Sequence, residues 1–287
     1  MSASFARCTW PITGCLNAAE GILGPDRVWG AVNDLQTRFL DHHFAHTRGI
    51  DLDVVESTVS RSEREIMAWL AKRGFEIQLN PCGPTGFIAA SVLDVLLEWL
   101  EHSTTADTII GANHRRYEAV KMKLRAVRFF SASTQLIVQV QTNDPSTQVY
   151  MTMLEHPPLD EFEIINLARQ FNATKVPSQE QYSGVTFPMI HFEEKRNLDW
   201  LIGLYTHNQN GLIMSIDEAI QMNRLRMNHE GVRAQSAAVV TMRSFSPQVP
   251  LLIDRPFLFW IQRDGVAEPL YTAWLGYDAW KNPGGLV

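Results

Sequence analysis

The stretch from Met227 to Ile261 constrains the fold more than any other part of the chain. It begins and ends as β-strand and carries mainly small or β-branched residues in between. Leu225 and Met227 alternate with Arg224, Arg226 and Asn228, the period-2 pattern of a half-buried strand. Glu230–Gly231 interrupts that pattern, and Arg243–Ser244–Phe245–Ser246–Pro247 follows the small residues. Pro256 to Ile261 is then a strongly apolar strand. The segment between suits two states, linker and additional strand. In an extended chain Val232, Ala234, Ser236, Ala238 and Val240 share one face, while Arg233 and Gln235 lie on the other. Gly231 supplies a hinge, because it reaches dihedrals closed to other residues. From parity alone, an ordinary exposed loop is the simpler reading.

The same residues resemble the reactive-centre loop of the serpins, the serine protease inhibitors. Glu230, Gly231 and Val232, followed by Ala234, Ser236, Ala237 and Ala238, are similar to the family's hinge (Glu-Gly, then Ala-rich). Asp254–Arg255–Pro256–Phe257–Leu258–Phe259 resembles the strand after the loop. Phe187–Pro188 to Leu204 resembles the family's strand followed by a short helix, and Ser215 to Met227 resembles the lead into the hinge. The resemblance covers about Tyr117 to Tyr277. It implies an α+β, serpin-like fold with largely antiparallel β-sheets and surrounding helices, in a single domain over residues 1–287. Residues 1–116 would be a shortened, weakly matching N-terminal part. Residues 117–287 would be the core, with the reactive-centre loop at about 229–253.

The resemblance also implies a function. The loop is bait: a target protease's serine attacks it and forms an acyl-enzyme. The cleaved loop then inserts into a β-sheet as an extra strand, released from a metastable fold. Such a chain is not an enzyme. Shortening puts that step in question, because insertion needs two central strands that can separate. A non-inhibitory, serpin-like binding protein is therefore the alternative, and a reversible substrate-like inhibitor is a third.

Two criteria disagree on the reactive bond. Arg243–Ser244 offers an arginine to the acidic pocket of a trypsin-like protease, and Arg243 to Pro247 resembles the Arg-Ser-x-x-Pro of antithrombin. Counting from Gly231 by the family's spacing lands instead on Phe245–Ser246, suited to a chymotrypsin-like protease. Pocket chemistry favours Arg243, and a coagulation protease such as thrombin is then the expected partner. Val232, the first inward residue, is small enough to bury, and a charge there would speak against inhibition.

With 287 residues, 45% hydrophobic and 20% charged, the chain is long enough for one large or two modest domains. A formal charge of −6 excludes nucleic acid as the default partner. The local exception is Arg115, Arg116, Lys121, Lys123, Arg125 and Arg128 against a single Glu118. That is a solvated face, or a site for a heparin-like glycosaminoglycan, the one cofactor class expected. No stretch reaches transmembrane length, so no membrane partner is expected, and a monomer is. The three cysteines make no disulfide framework, although Cys8 and Cys15 could pair outside the cell. Extracellular action is favoured although no signal-peptide pattern is visible; a cytoplasmic location is the other possibility. Asn172–Ala173–Thr174 is a glycosylation sequon, meaningful only in a secreted protein.

Along the chain, residues 1 to about 26 show no period. Helices are expected from Val28 to about His46, with Val32, Leu35, Phe39 and His43 on one face, and from Ser62 to Arg73, with Ile66, Met67 and Leu70 inward and Gly74 as the stop. Phe75 to Leu79 reads as a strand, and the apolar run from Thr85 to Glu101 as a buried central helix. Val120–Phe130, Gln135–Thr142 and Gln148–Leu154 read as strands, the last two joined by a turn at Asn143–Asp144–Pro145. A capping box at Asp160 and Glu163 opens a helix through Ile164, Leu167, Ala168 and Phe171. A strand near Thr186–Glu193, short helices near Leu198–Tyr205 and Asp217–Met222, and a turn at Asn210–Gly211 complete the pattern. Asp41, His42, His43 and His46 contain an i, i+4 histidine pair but no third ligand at a recognisable spacing, so no metal site is expected. Trp260, Trp274 and Trp280 read as packing residues. There is no phosphate loop or nucleophile elbow.

Overall fold

The computed structural model describes residues 3–83, 86–101, 107–180, 182–229 and 249–286. In chain order, β1 (Phe5–Arg7) and α1 (Trp10–Leu23) come first. Then come α2 (Asp34–Phe39), continued by a π-helical turn and α3 (Ala45–Thr47), β2 (Val55–Ser60) and α4 (Glu63–Ala71). β3 (Ile88–Leu93), β4 (Asp107–Ile110), β5 (Arg116–Lys123), β6 (Val127–Ala132), β7 (Gln135–Val140) and β8 (Thr147–Met153) follow. After α5 (Glu163–Thr174) and β9 (Val176–Pro177) run β10 (Gly184–Pro188), β11 (Ile190–Asn197), β12 (Tyr205–His207), β13 (Ile213–Ser215) and β14 (Ile220–Met227). β15 (Leu251–Leu252), β16 (Phe257–Arg263) and β17 (Tyr271–Leu275) close the chain. It divides into two compact units, one of residues 1–7, 96–194 and 223–287, the other of residues 8–95 and 195–222.

The first unit contains a seven-stranded sheet in the order β1-β17-β16-β8-β7-β6-β9, in which every named neighbour pair is antiparallel. Its centre is β16. Phe257 to Ile261 are all buried, which is why this strand reads as an unbroken apolar run rather than an alternating one. Trp260 stacks on Tyr150 at 5.2 Å and meets Phe171 of α5 at 6.0 Å; on the opposite parity Phe257 meets Trp280 at 6.2 Å. The same unit holds a four-stranded sheet in the order β15-β10-β5-β4. Asp160 opens α5 by accepting from the Phe162 N–H at 3.0 Å, and Ile164, Ala168 and Phe171 are buried as expected.

In the second unit β2 and β3 form an antiparallel pair with a helix on each face. Odd residues of β3 face α1: the Cys15 thiol bonds the Ala89 carbonyl, and a Cβ on Gly14 would lie 2.2 Å from Ser91 Oγ and 2.6 Å from Ser57 Oγ. Even residues face α4: Ala90 and Val92 share a cluster with Ile66, Leu70 and Ile77. The α4 ends are those expected, Ser62 capping the Glu65 N–H and Gly74 following at φ +80°.

Several expectations are corrected. The run from Thr85 to Glu101 is not a helix: Ile88–Leu93 is β3, apolar at every position but Ser91 because both of its faces are covered, while Leu96 and Leu100 are exposed. Phe75–Leu79 is extended and its odd residues pack inward, yet it joins no ladder. Val120–Phe130 is two strands in two sheets, broken by a 3-10 turn at Leu124–Ala126. Thr186–Glu193 is likewise split at Met189, and Asp217–Met222 is not a helix: it is irregular up to Ala219 and strand from Ile220. The helix expected from Val28 starts at Asp34, where Asn33 caps the Gln36 N–H, leaving Val32 exposed; only a 3-10 turn at Asp199–Leu201 stands in the expected Leu198–Tyr205 helix. Helix α1 went unread because its buried face includes Thr13 and Gly14 beside Ile12 and Leu16.

Two glycines of α1 test this packing. Gly14→Ala is expected to destabilise by about 1–3 kcal/mol through overpacking against Ser91 and Ser57. Gly21, where an added Cβ meets nothing within 4 Å, should gain about 0.5–1 kcal/mol as alanine. Urea unfolding of both variants checks the pair. Equal effects would mean that α1 does not lie on β3 as described.

Candidate functional site

The site of interest is the pair of points between which residues 230–248 run. At the first, β14 ends at Met227 and Asn228, both buried. The Asn228 carbonyl accepts the Trp99 indole N–H at 3.0 Å, and its side chain donates to the Gly284 carbonyl at 2.9 Å. Trp99 is itself fixed: it bridges to Thr142 and meets Phe187 edge-on at 6.0 Å. On either side of it, Leu100 donates to Gln141 and Asn143 donates to Glu98. The strand thus ends against a satisfied, buried indole rather than fraying.

At the second point, the Val249 carbonyl accepts from Ser183 N at 3.3 Å. Leu251 and Leu252 pair in parallel with Val185 and Thr186. Ile253 donates to Thr186, and the Asp254 carbonyl accepts from Ala112 at 2.7 Å. Arg255 bonds Asp254 at 3.1 Å and Glu155 at 2.6 Å, and those two bonds raise the guanidinium pKa above its usual value. Leu154 donates to the Pro256 carbonyl and leads into β16.

A further feature involves β3 and the first residues of β14, Ile220 to Met222, in the second unit. β3 is laddered only to β2 and β14 only to β11, and among the described residues no ladder joins β3 to β14. Ile88, Ala90 and Val92 of β3, Ile220 and Met222 of β14, and Ile66, Leu70 and Ile77 belong to one apolar cluster that also takes in Phe75 and Leu79. The Phe75–Leu79 segment is fastened by Asn80, whose side chain and N–H both donate to Glu218, at 2.8 and 3.3 Å. Two strands thus share a core and leave their backbones unpaired with each other.

The sequence-derived residues fall unevenly. Glu230, Gly231, Val232, Ala234, Ser236, Ala237 and Ala238, and the bond residues Arg243, Ser244, Phe245 and Ser246, lie outside the described residues. The six basic residues are described, and they do not form one face. Lys121 and Lys123 are exposed on one face of β5 and Arg116 on the other. Arg125 is ion-paired with Glu101, and Arg128 belongs to β6 in the other sheet. Cys8, Cys15 and Cys82 are free thiols, so the Cys8–Cys15 pairing that the sequence leaves open is not made; burial pushes the Cys15 thiol up to about 12. The sequon amide of Asn172 is engaged: it donates to Gln262 at 2.7 Å and accepts from Lys175 and Trp260 at 2.9 and 3.2 Å. Among the described residues no group of three His, Cys, Asp or Glu could hold a metal, and His43 is buried while His42 and His46 are exposed. Trp260, Trp274 and Trp280 are buried packing residues, as expected. Trp99 and Asn228 were not foreseen as anchors; a lone tryptophan closing an apolar run was their only signal.

Replacing Trp99 with phenylalanine removes this donor from the buried Asn228 carbonyl, at an expected cost of about 1–3 kcal/mol. Chemical denaturation measures this. An unchanged midpoint would mean that water replaces the indole and that the anchor is not closed.

No family model matches the sequence, and no curated protein matches it. Solved structures do. The serpin from Schistosoma mansoni has a TM-score of 0.59 at 12% identity, over 95% of this chain and 95% of that chain. Serpin48 from the insect Tenebrio molitor gives 0.57 at 10%, over 96% and 92%. Thyroxine-binding globulin in complex with thyroxine gives 0.56 at 11%, over 95% and 92%. The chain has the serpin fold: α+β, with mostly antiparallel sheets. A likeness over 95–96% of the chain cannot be confined to the part from Tyr117 onward, so it reaches into residues 1–116 as well.

Proposed function

We propose that the chain is a serpin-type inhibitor of a trypsin-like serine protease, cleaved after Arg243. The observation that carries this reading is the unladdered pair β3 and β14, whose side chains already share one cluster. A strand entering between them would meet two backbones able to pair with it. The anchors at Asn228 and at Val249–Leu252 supply what a bait segment needs, fixed ends with an intervening chain. The protein contributes no catalytic group; the protease's own serine performs the acyl transfer, and insertion of the cleaved segment stops deacylation. Extracellular action fits such a partner, and a coagulation protease such as thrombin is the first to try. Among the described residues no helix is long and apolar enough to cross a membrane.

The scatter of the basic residues argues against one glycosaminoglycan site built from all six. A second reading, a non-inhibitory binding protein, is favoured by the Phe75–Leu79 segment, which packs on both strands and is fastened through Glu218. An entering strand would have to displace it.

Incubation with thrombin, trypsin and chymotrypsin, followed by denaturing gels and mass spectrometry, separates these readings. The inhibitor reading expects a denaturant-stable adduct, a released peptide beginning at Ser244, and loss of adduct with the arginine-specific enzymes in Arg243→Ala. A peptide beginning at Ser246 would move the bond to Phe245. Cleavage without any adduct would leave the binding-protein reading in its place.

A further inference from the structure

The β12–β13 hairpin of the second unit leaves one backbone edge open. Its register is Tyr205↔Ser215, Thr206↔Met214 and His207↔Ile213. One step beyond either end of that ladder, the Asn208 N–H donates to the Leu212 carbonyl and the Ile216 N–H to the Leu204 carbonyl. Hydrogen-bonded pairs alternate along antiparallel strands, so Leu212, Met214 and Ile216 turn their main-chain groups toward β12. Ile213 and Ser215 turn theirs away. On the other side of β12 the outward groups are used: Tyr205 exchanges bonds with Gly30 at 3.0 and 2.7 Å. Among the described residues β13 is laddered only to β12, and Ile213 and Ser215 are both exposed. The outer strands of the seven-stranded sheet are guarded by contrast. At β1 the Ser4 and Ala6 N–H groups are taken by the Asp278 and Glu194 carboxylates, and β9 ends in Pro177, which has no N–H. β13 carries no such device, since Leu212 to Ile216 includes neither lysine nor proline.

The side chains around this edge are apolar within an acidic surround. Leu212 and Ile213 are 61% and 66% exposed. Val28, 84% exposed, borders the same hairpin, its carbonyl accepting from Thr206 Oγ1 at 2.7 Å. Residues 199–218 contain Asp199, Asp217 and Glu218 and no lysine or arginine. Residues 26–34 add Asp26 and Asp34 against Arg27, whose guanidinium is spent on the Pro25 and His207 carbonyls. Asp217 is exposed at the second alternate position after Ile213, so an extended chain carries both on one face. We propose that the β13 edge receives an extended, basic segment of a partner protein, added as a strand beside Ile213 and Ser215. Backbone pairing supplies the attachment, Ile213 meets an apolar side chain, and Asp217 meets a Lys or Arg. A second copy of this chain is disfavoured, because it would set the same acidic surround against itself. The proposal is independent of the reading of residues 230–248.

The test titrates the full chain with a labelled Lys-Val-Thr-Val-Lys peptide up to millimolar concentration, read by anisotropy and by the amide NMR signals of Ile213 and Ser215. Two control peptides carry glutamate in place of lysine, or N-methyl groups throughout so that no strand can be added. The probe should shift the Ile213 and Ser215 signals, and both controls should bind about tenfold more weakly or not at all. Ile213→Lys, a change at an exposed position that guards the edge with a charge, should weaken the probe about tenfold. Asp217→Lys should weaken it at low salt, with the difference fading at high salt. Equal binding of the N-methylated peptide, or probe binding that leaves Ile213 and Ser215 unshifted, overturns the strand-addition proposal. No binding of the probe at millimolar concentration overturns it as well. Equal binding of the glutamate peptide removes the basic partner. A dimer in sedimentation velocity that Ile213→Lys dissolves assigns the edge to a second copy instead.

Discussion

The absence of a ladder between β3 and β14 is the constraint on which the rest depends. An edge strand presents a row of N–H and C=O groups to any extended chain that reaches it, and folded proteins usually pair, cover or twist such edges away. Here the side chains of the two strands are joined in one apolar cluster under α4 and the Phe75–Leu79 segment, while their backbones pair outward, with β2 and β11. Closing the pair without an added strand would require the register and spacing of both to change. Admitting a strand requires instead that the covering segment move, and Ile77 and the Asn80–Glu218 bonds resist that movement. Whether the chain traps or merely binds is the balance between these two costs.

The ends of residues 230–248 are set by opposite means. At Asn228 the chain is stopped by side chains, a buried indole and an amide bond to Gly284. At Leu251–Leu252 it is stopped by backbone, a short parallel pairing backed by Ile253 and Asp254. Both ends lie in the unit that contains the seven-stranded sheet, whose strand β16 is buried from Phe257 to Ile261. Under the inhibitor reading the segment changes state, and such a segment is best held by elements that do not; buried aromatic strands are the least able to open locally.

What the sequence made legible follows from how many faces each element buries. The Phe257–Ile261 strand, the Gln135–Leu154 hairpin with its Asn143 turn, and the Ser62-capped helix ending at Gly74 each carry a local signal that tertiary packing only reinforces. Ile88–Leu93 carries none, because a strand covered by α1 and α4 is small or apolar on both sides and mimics a buried helix. Helix α1 shows the reverse, a buried face that must be small where Gly14 touches two serines, so no apolar stripe marks it. For the site, the hinge pattern and Arg243 were visible as residue types, whereas the anchors were not, since Trp99 and Asn228 are separated by most of the first unit's sequence. The basic run from Arg115 to Arg128 looked continuous in sequence and is divided in space, because strand alternation and the break at Leu124–Ala126 send neighbouring cations to different faces.

The most direct measurement is the thermal unfolding of the intact chain beside a sample nicked once between residues 230 and 248. If β3 and β14 accept the freed segment as a strand, its added pairing stabilises the nicked protein by several kcal/mol, and its Tm rises by roughly 10 °C or more above that of the intact chain. A nicked protein that melts at the same temperature as the intact one, or below it, would contradict insertion between these strands.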